Sequence, residues 1–318
     1  MKMKVKNRIK VAFRIDVSPD IGAGHFVRMS ALADAFTALG SACAIYNGAD
    51  EPIDYSGFDI IVLDSYNLSD EYISSLRKPG RVLVCYDDNA LYTYDCDVLL
   101  NANFHANELC FNVSGMPAKL LLGPKYALLR SEFTKVEPIA IKDKGTDIFI
   151  CFGGSDMRNF TPRAIETLSR IPKVKLTAVL GEYTKNDDEV MAFTGDKVKV
   201  LKSPDLLSSV MNKCDIAVTG AGSMVYELAA LGIPSILISQ ADNQHKIADY
   251  LEGNNLMKWL GSWDSISMED LCLESESLLK DFKRRKTEHN SLITTVNRNG
   301  ALNAANEILD AYSMIFPG

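Results

Sequence analysis

Along this 318-residue chain, short apolar runs alternate with longer stretches in which apolar positions recur every three or four residues. The short runs read as buried strands and the longer ones as amphipathic helices, and their alternation predicts an α/β protein with parallel sheets. In the first half the strand candidates are KVAFRIDV (Lys10 to Val17), ACAIY (Ala42 to Tyr46), DIIVLD (Asp59 to Asp64), RVLVCYD (Arg81 to Asp87) and DVLLNAN (Asp97 to Asn103). Helices are expected between several of them, best defined at His25 to Leu39 and Asp70 to Arg77. The rhythm breaks at Phe133 to Gly145, a charged stretch holding Pro138, which reads as an interdomain linker. It resumes with DIFICF (Asp147 to Phe152), VKLTAVL (Val174 to Leu180), KVKVL (Lys197 to Leu201), CDIAVT (Cys214 to Thr219) and SILIS (Ser235 to Ser239), and from Met268 onward it is helical. The pattern predicts an N-terminal Rossmann-like domain over 1–140, a C-terminal one over 141–300 and a terminal helix over 301–318. Such sheets bind ligands outside the C-terminal ends of their strands, so a cleft between two facing sheets is the expected site.

Composition narrows the partners. A net charge of -7 lacks the basic field of a nucleic-acid binder, although loop amides and helix N-termini can still hold a small anion. No apolar run reaches the roughly 20 residues that span a bilayer, and MKMKVKNRIK leads straight into a strand, so a cytoplasmic protein without a membrane span is expected. The seven cysteines are odd in number and form no C-x-x-C pair, which favours buried free thiols. Four histidines without H-x-x-x-H spacing give no expectation of a metal.

Seven stretches carry candidate chemistry. In DIGAGHFVRMS, Gly22 and Gly24 supply a G-x-G turn, but Val27 stands at the third glycine position of the dinucleotide fingerprint. What remains is His25 at the first turn of a helix, where the dipole disfavours a cation and suits a general base; capping its own helix is the structural alternative. Arg28, one turn on, orients an acid or lies on the surface. In TGAGSMVYELAALG, Gly220 and Gly222 open a loop whose amides, with Ser223, suit a diphosphate, while Glu227 either accepts ribose hydroxyls or is a helix charge. FICFGGSD places Gly153, Gly154 and Ser155 after a strand, as a plain turn or an anion site, and QADNQHK offers Asn243 and Gln244 for sugar hydroxyls or for capping. DSYNL (Asp64 to Leu68), YDDN (Tyr86 to Asn89) and NANFH (Asn101 to His105) set further polar groups at strand ends and together line one face of the cleft.

These motifs carry a resemblance. Arg14 to Arg28 resembles the R-x-D-x-S-x-x-I-G-x-G-H-x-x-R signature of the UDP-2,4-diacetamido-2,4,6-trideoxy-β-L-altropyranose hydrolases of pseudaminic acid biosynthesis. Matches follow in order at Asp64 to Tyr66, Tyr86 to Asp88, Leu99 to Asn103, Tyr126 to Phe133 and Phe149 to Asn159. The second half is similar to the wider GT-B clan that includes the lipid II-forming N-acetylglucosaminyltransferase. The resemblance implies a GT-B-like fold of two Rossmann-like domains. It implies that Gly220 to Met224 hold the UDP diphosphate, that Glu227 binds ribose, and that Asn243 and Gln244 face the sugar. His25 then activates the attacking water, with Asp16 and Tyr66 beside it, in an inverting, metal-independent and cofactor-free cleavage of the C1–O bond. Two alternatives stay open: an inverting glycosyltransferase using the same donor, and a nucleotide-sugar binding protein without catalysis. A monomer or weak dimer is expected, in a cell that decorates flagellin or a surface polysaccharide.

Overall fold

The computed structural model describes residues 8–16, 24–48, 52–90, 93–113 and 119–316; Gly22 lies outside them. They form two compact units, residues 1–131 with 298–318, and residues 132–297.

The first unit is built on a six-stranded sheet in the order β2-β1-β3-β4-β6-β8. Its strands are β1 (Lys10–Ile15), β2 (Ala42–Asn47), β3 (Ile60–Asp64), β4 (Val82–Tyr86), β6 (Val98–Asn101) and β8 (Lys119–Leu122); β5 (Thr93–Tyr94) and β7 (Asn112–Val113) pair separately. Every pairing in the main sheet is parallel. Helix α1 (Gly24–Ala38) follows β1, and α2 (Asp70–Ser75) follows β3. Successive side chains of a strand point to opposite faces, and here both faces are covered. Thus Ile60 and Val62 of β3 join the core beneath α1, whereas Ile61 and Leu63 join a second core with Ile73, Tyr94 and Cys96. That is why these strands read as unbroken apolar runs.

The second unit opens with α3 (Glu132–Lys135) and carries a sheet in the order β11-β10-β9-β12-β13-β14. Its strands are β9 (Asp147–Cys151), β10 (Lys175–Leu180), β11 (Val198–Lys202), β12 (Ile216–Thr219), β13 (Ser235–Ser239) and β14 (Lys258–Ser262), again all parallel. Between and after them run α4 (Phe160–Leu168), α5 (Asp187–Met191), α6 (Leu207–Met211), α7 (Met224–Ala230), α8 (His245–Gly253), α9 (Met268–Lys280) and α10 (Phe282–Thr295). The segment read as a linker belongs to this unit: the Ile139 amide donates to the Leu231 carbonyl at 2.9 Å, and Lys142 pairs with Asp215 at 2.8 Å. The chain then returns to the first unit as α11 (Gly300–Ile315). Ala301, Ala304, Ala305, Ile308 and Ala311 of this helix enter the core of β1, β3, β4 and α1. Gly300 comes so near the chain at Ala127 that an added Cβ would lie 2.4 Å from its backbone atoms.

In both sheets the strand order reverses beside the first strand, between β1 and β3 and between β9 and β12. The C-terminal ends of strands at such a reversal form a ligand crevice, because the flanking connections leave in opposite directions. All seven cysteines are free; Cys85, Cys96, Cys151 and Cys214 are buried as expected, whereas Cys110 is exposed.

Candidate active site

At the β1/β3 reversal of the first unit, His25 occupies the second position of α1 and is buried. Its Nδ1 lies 2.8 Å from Oδ1 of Asp64, the last residue of β3. Arg28, one turn along α1, donates from Nε to the other Asp64 oxygen at 2.6 Å and from a terminal nitrogen to Asp88 at 2.6 Å. A carboxylate gripped by a guanidinium accepts hydrogen bonds and donates none, so the proton of this contact sits on His25 Nδ1. Nε2 is then the ring nitrogen with the lone pair, which is the arrangement a general base needs.

Tyr66 packs its ring edge-on against the imidazole, centroids 4.7 Å apart at 80°, and its hydroxyl donates to Asp88 at 2.8 Å. Asn103 donates to the remaining Asp88 oxygen at 3.0 Å, and the Arg28 guanidinium lies 4.2 Å over the Tyr86 ring. Burial works against charge at Arg28, but Asp64 and Asp88 outweigh it and hold the guanidinium well above its ordinary range. Burial also works against charge at Asp88, yet Arg28 and the Tyr66 hydroxyl hold that carboxyl below its ordinary range. Burial, with Asp88 adding to it, pushes the Tyr66 phenol up, so it stays protonated near neutral pH.

Asp16 sits at the same crevice on the neighbouring strand end, with its amide donating to the Asp64 carbonyl at 3.3 Å. Its carboxylate takes Arg14 at 2.8 Å and the Ser65 hydroxyl, so the group that grips His25 is Asp64 and not Asp16. The roles of Asp64 and Asp88 were not legible from the sequence beyond their position at strand ends. A carboxylate closing the strand next to the one that precedes the histidine was the available signal.

At the β9/β12 reversal of the second unit, Gly153 and Gly154 follow β9 while Gly220, Gly222 and Ser223 follow β12. Gly153 has φ +87°, which favours glycine. Gly154 is approached by Gly181 after β10, where an added Cβ would lie 2.3 Å from the Gly154 carbonyl oxygen. Ser155 follows in the same turn, and Asp156 ends it by accepting the Phe160 and Thr161 amides at 2.9 Å each, which starts α4. Asn243 and Gln244 form a 3₁₀ turn after β13. The Gln244 side-chain oxygen accepts the amides of Ala221 at 3.1 Å and Gln240 at 2.9 Å, tying the glycine loop to the neighbouring one. Two backbone donors fix which way this amide points, so its Nε2 is left as a donor beside Gly222. Met224 begins α7 and Glu227, one turn on, is buried at 8% exposure despite its charge. The structure therefore gathers Gly153, Gly154, Ser155, Gly220, Gly222, Ser223, Met224, Glu227, Asn243 and Gln244 at one end of one sheet, and His25, Arg28, Tyr66 and Asp16 at one end of the other. Gly24 opens α1 beside His25, and a Cβ there would meet no described atom within 4 Å. Among the described residues no group of three or more His, Cys, Asp or Glu could hold a metal ion, and no helix is long and apolar enough to cross a membrane.

Two all-parallel six-stranded sheets of this topology match the GT-B fold. The chain superposes on *Acinetobacter baumannii* MurG with a TM-score of 0.64 at 13% identity, covering 95% of this chain and 99% of that one. It matches LpCGTa, solved in complex with UDP, with a TM-score of 0.65 at 12% identity over 96% of this chain and 99% of that one. Among curated sequences the chain is similar to the UDP-2,4-diacetamido-2,4,6-trideoxy-beta-L-altropyranose hydrolase of *Campylobacter jejuni*, 26% identical over 269 residues, 76% of this chain and 96% of that protein. It is equally similar to an uncharacterized protein of *Methanocaldococcus jannaschii*, 26% identical over 280 residues and 76% of this chain, but spans 58% of that protein. A *Helicobacter pylori* protein named as both pseudaminic acid cytidylyltransferase and the same hydrolase is 24% identical over 86% of this chain, which spans 51% of its length. No family model matches the chain.

Proposed function

We propose that this protein hydrolyses a UDP-linked 2,4-diacetamido-2,4,6-trideoxyhexose at the anomeric carbon, with inversion, in pseudaminic acid biosynthesis in the cytoplasm. The observation that carries the reading is the His25–Asp64 contact at 2.8 Å, which leaves a basic Nε2 on a residue shared with the hydrolase signature. The named activity of the *C. jejuni* relative supports the substrate class. In this reading a water gives its proton to His25 Nε2 as its oxygen bonds to C1, and the C1–O bond breaks with its electron pair leaving on UDP. Asp64 holds the imidazole in the productive tautomer and faces the imidazolium that forms. Backbone amides of Gly220 to Met224 receive the diphosphate charge, with the Gln244 Nε2 beside them and Glu227 set for ribose hydroxyls. Gly153 to Ser155 and Asn243 border the same strand ends.

The solved proteins that share the fold include glycosyltransferases, which supports a second reading in which His25 deprotonates an acceptor hydroxyl instead of water. A panel of UDP-sugars in ¹⁸O-water separates the two. Hydrolysis puts label in the free sugar, whereas transfer gives no turnover until an acceptor is added. General-base help is worth about 10² to 10⁴ in rate, so His25→Asn is expected to lose at least about 10²-fold in kcat while still binding UDP. Wild-type turnover by that variant would overturn the base assignment.

A further inference from the structure

Asp88 touches three donors and accounts for the order of the whole cluster. One oxygen takes Arg28 at 2.6 Å and the Tyr66 hydroxyl at 2.8 Å, and the other takes Asn103 at 3.0 Å. All three of these contacts are to protein groups, as for a carboxylate that holds its neighbours in place. The charged and titratable groups around His25 are Arg28 on its own helix, Asp64 at the end of β3, the neutral Tyr66 phenol in the loop beyond, and Asp88 beyond β4. The Arg14–Asp16 pair at the end of β1 is self-compensated at 2.8 Å. Arg28 thus serves two carboxylates, and the cluster carries one negative charge more than it has cations while the imidazole is neutral.

We propose that Asp88 is a positioning residue for His25: through Arg28 and Tyr66 it supplies the surplus negative charge that the imidazolium neutralises when the base takes its proton, and it clamps the tyrosine ring against the imidazole. With Asp64 alone, the Arg28 guanidinium would cancel the only carboxylate in contact with the ring, and a proton arriving on Nε2 would create an uncompensated cation. With Asp88 present, the same proton brings the cluster to neutrality. The clamp has its own consequence: the Tyr66 hydroxyl spends its proton on Asp88, so toward a sugar it offers only lone pairs and selects a hydroxyl or amide N–H.

The inference rests on His25 being the base of the proposed hydrolysis, and its test is chosen to stand apart from turnover. The imidazole is titrated by ¹H–¹⁵N NMR in the wild type, with His25→Asn identifying its signals among four histidines. Asp88→Asn removes the surplus charge and is expected to lower the His25 titration midpoint by at least about half a pH unit, threefold in the protonation equilibrium, as loss of a nearby unit charge should. Arg28→Gln removes the cation and is expected to move it upward by a similar amount. Opposite shifts are a signature that a merely structural role does not give, and either variant alone is decisive if the other does not fold. In turnover, Asp88→Asn should lower kcat about tenfold with KM little changed, and shift the acid limb of the pH–kcat profile to lower pH. Unmoved midpoints in folded variants would overturn the role of Asp88, whereas full activity of His25→Asn would overturn the base itself.

Discussion

Replacing Asp64 by asparagine removes one charge while leaving the side-chain volume nearly unchanged. The wild-type carboxylate is 1% exposed and accepts His25 Nδ1 at 2.8 Å on one oxygen and Arg28 Nε at 2.6 Å on the other. An amide has a single oxygen, so one of these donors must lose its acceptor. If the amide nitrogen faces Arg28, donor meets donor and the helix turn that carries both residues is pushed away from β3. If it faces His25, the ring accepts at Nδ1 and carries its proton on Nε2, where it cannot receive one from water. Mispairing of this kind costs about 10⁴ in kcat where an aspartate orients a catalytic histidine in serine proteases. We expect kcat to fall about 10²- to 10⁴-fold, equivalent to about 3–5 kcal/mol of activation free energy. KM should hold within about threefold, since Asp64 is 1% exposed and acts through His25, not on the substrate itself. Stability should fall by about 1–3 kcal/mol for the donor left unpaired. The assay is coupled UDP release from the UDP-sugar, with the folded fraction fixed by urea denaturation. A folded variant with kcat within threefold of wild type would refute the tautomer argument.

Three further outcomes follow from the second unit. Gln244→Ala deprives two backbone amides of their acceptor and should cost about 1–3 kcal/mol in urea melts, whereas Gln244→Glu keeps the acceptor, preserves stability and weakens UDP binding in calorimetry. Gly181→Ala drives a Cβ to within 2.3 Å of the Gly154 carbonyl and should lower stability by at least about 1–3 kcal/mol with a matching drop in melting temperature. Burial pushes the Glu288 carboxyl up to about 6, against an ordinary 4.5, so the folded state holds more protons there between those values. Stability should therefore decline as pH rises through that window, by up to about 2 kcal/mol, and Glu288→Gln should remove the decline in urea melts at pH 4.5 and 7.5.

The central strands were legible because both of their faces are buried: IIVLD and VLVCY leave no polar position to blur the run. Strands β8 (KLLL) and β14 (KWLGS) were missed, each with at most one fully buried position, whereas the other two edge strands, β2 and β11, were legible from their own apolar runs. His25 and the glycine loops were legible as local motifs. Asp64, Asp88 and Asn103 became a site only when the parallel order of β1, β3, β4 and β6 brought their C-terminal ends together, which is tertiary information that no local spacing encodes. The linker reading failed at Ile139 and Lys142 for a related reason. The Ile139 backbone amide and the Lys142 side chain anchor this charged stretch by contacts with residues far along the chain.

The return of α11 to the first unit sets an order of assembly. Ala301 to Ala311 complete a core whose other members all precede residue 132, so that core cannot close until everything between has been synthesised. The second unit is contiguous, and it is free to fold on the ribosome while the first still waits with Val62, Val84 and Phe36 lacking their cover. The half that carries the histidine is thus the last to mature. Truncating the chain before Gly300 should leave a second unit that folds and a first unit that does not, and during synthesis His25 would reach its final surroundings only after the glycine loops of the second unit exist.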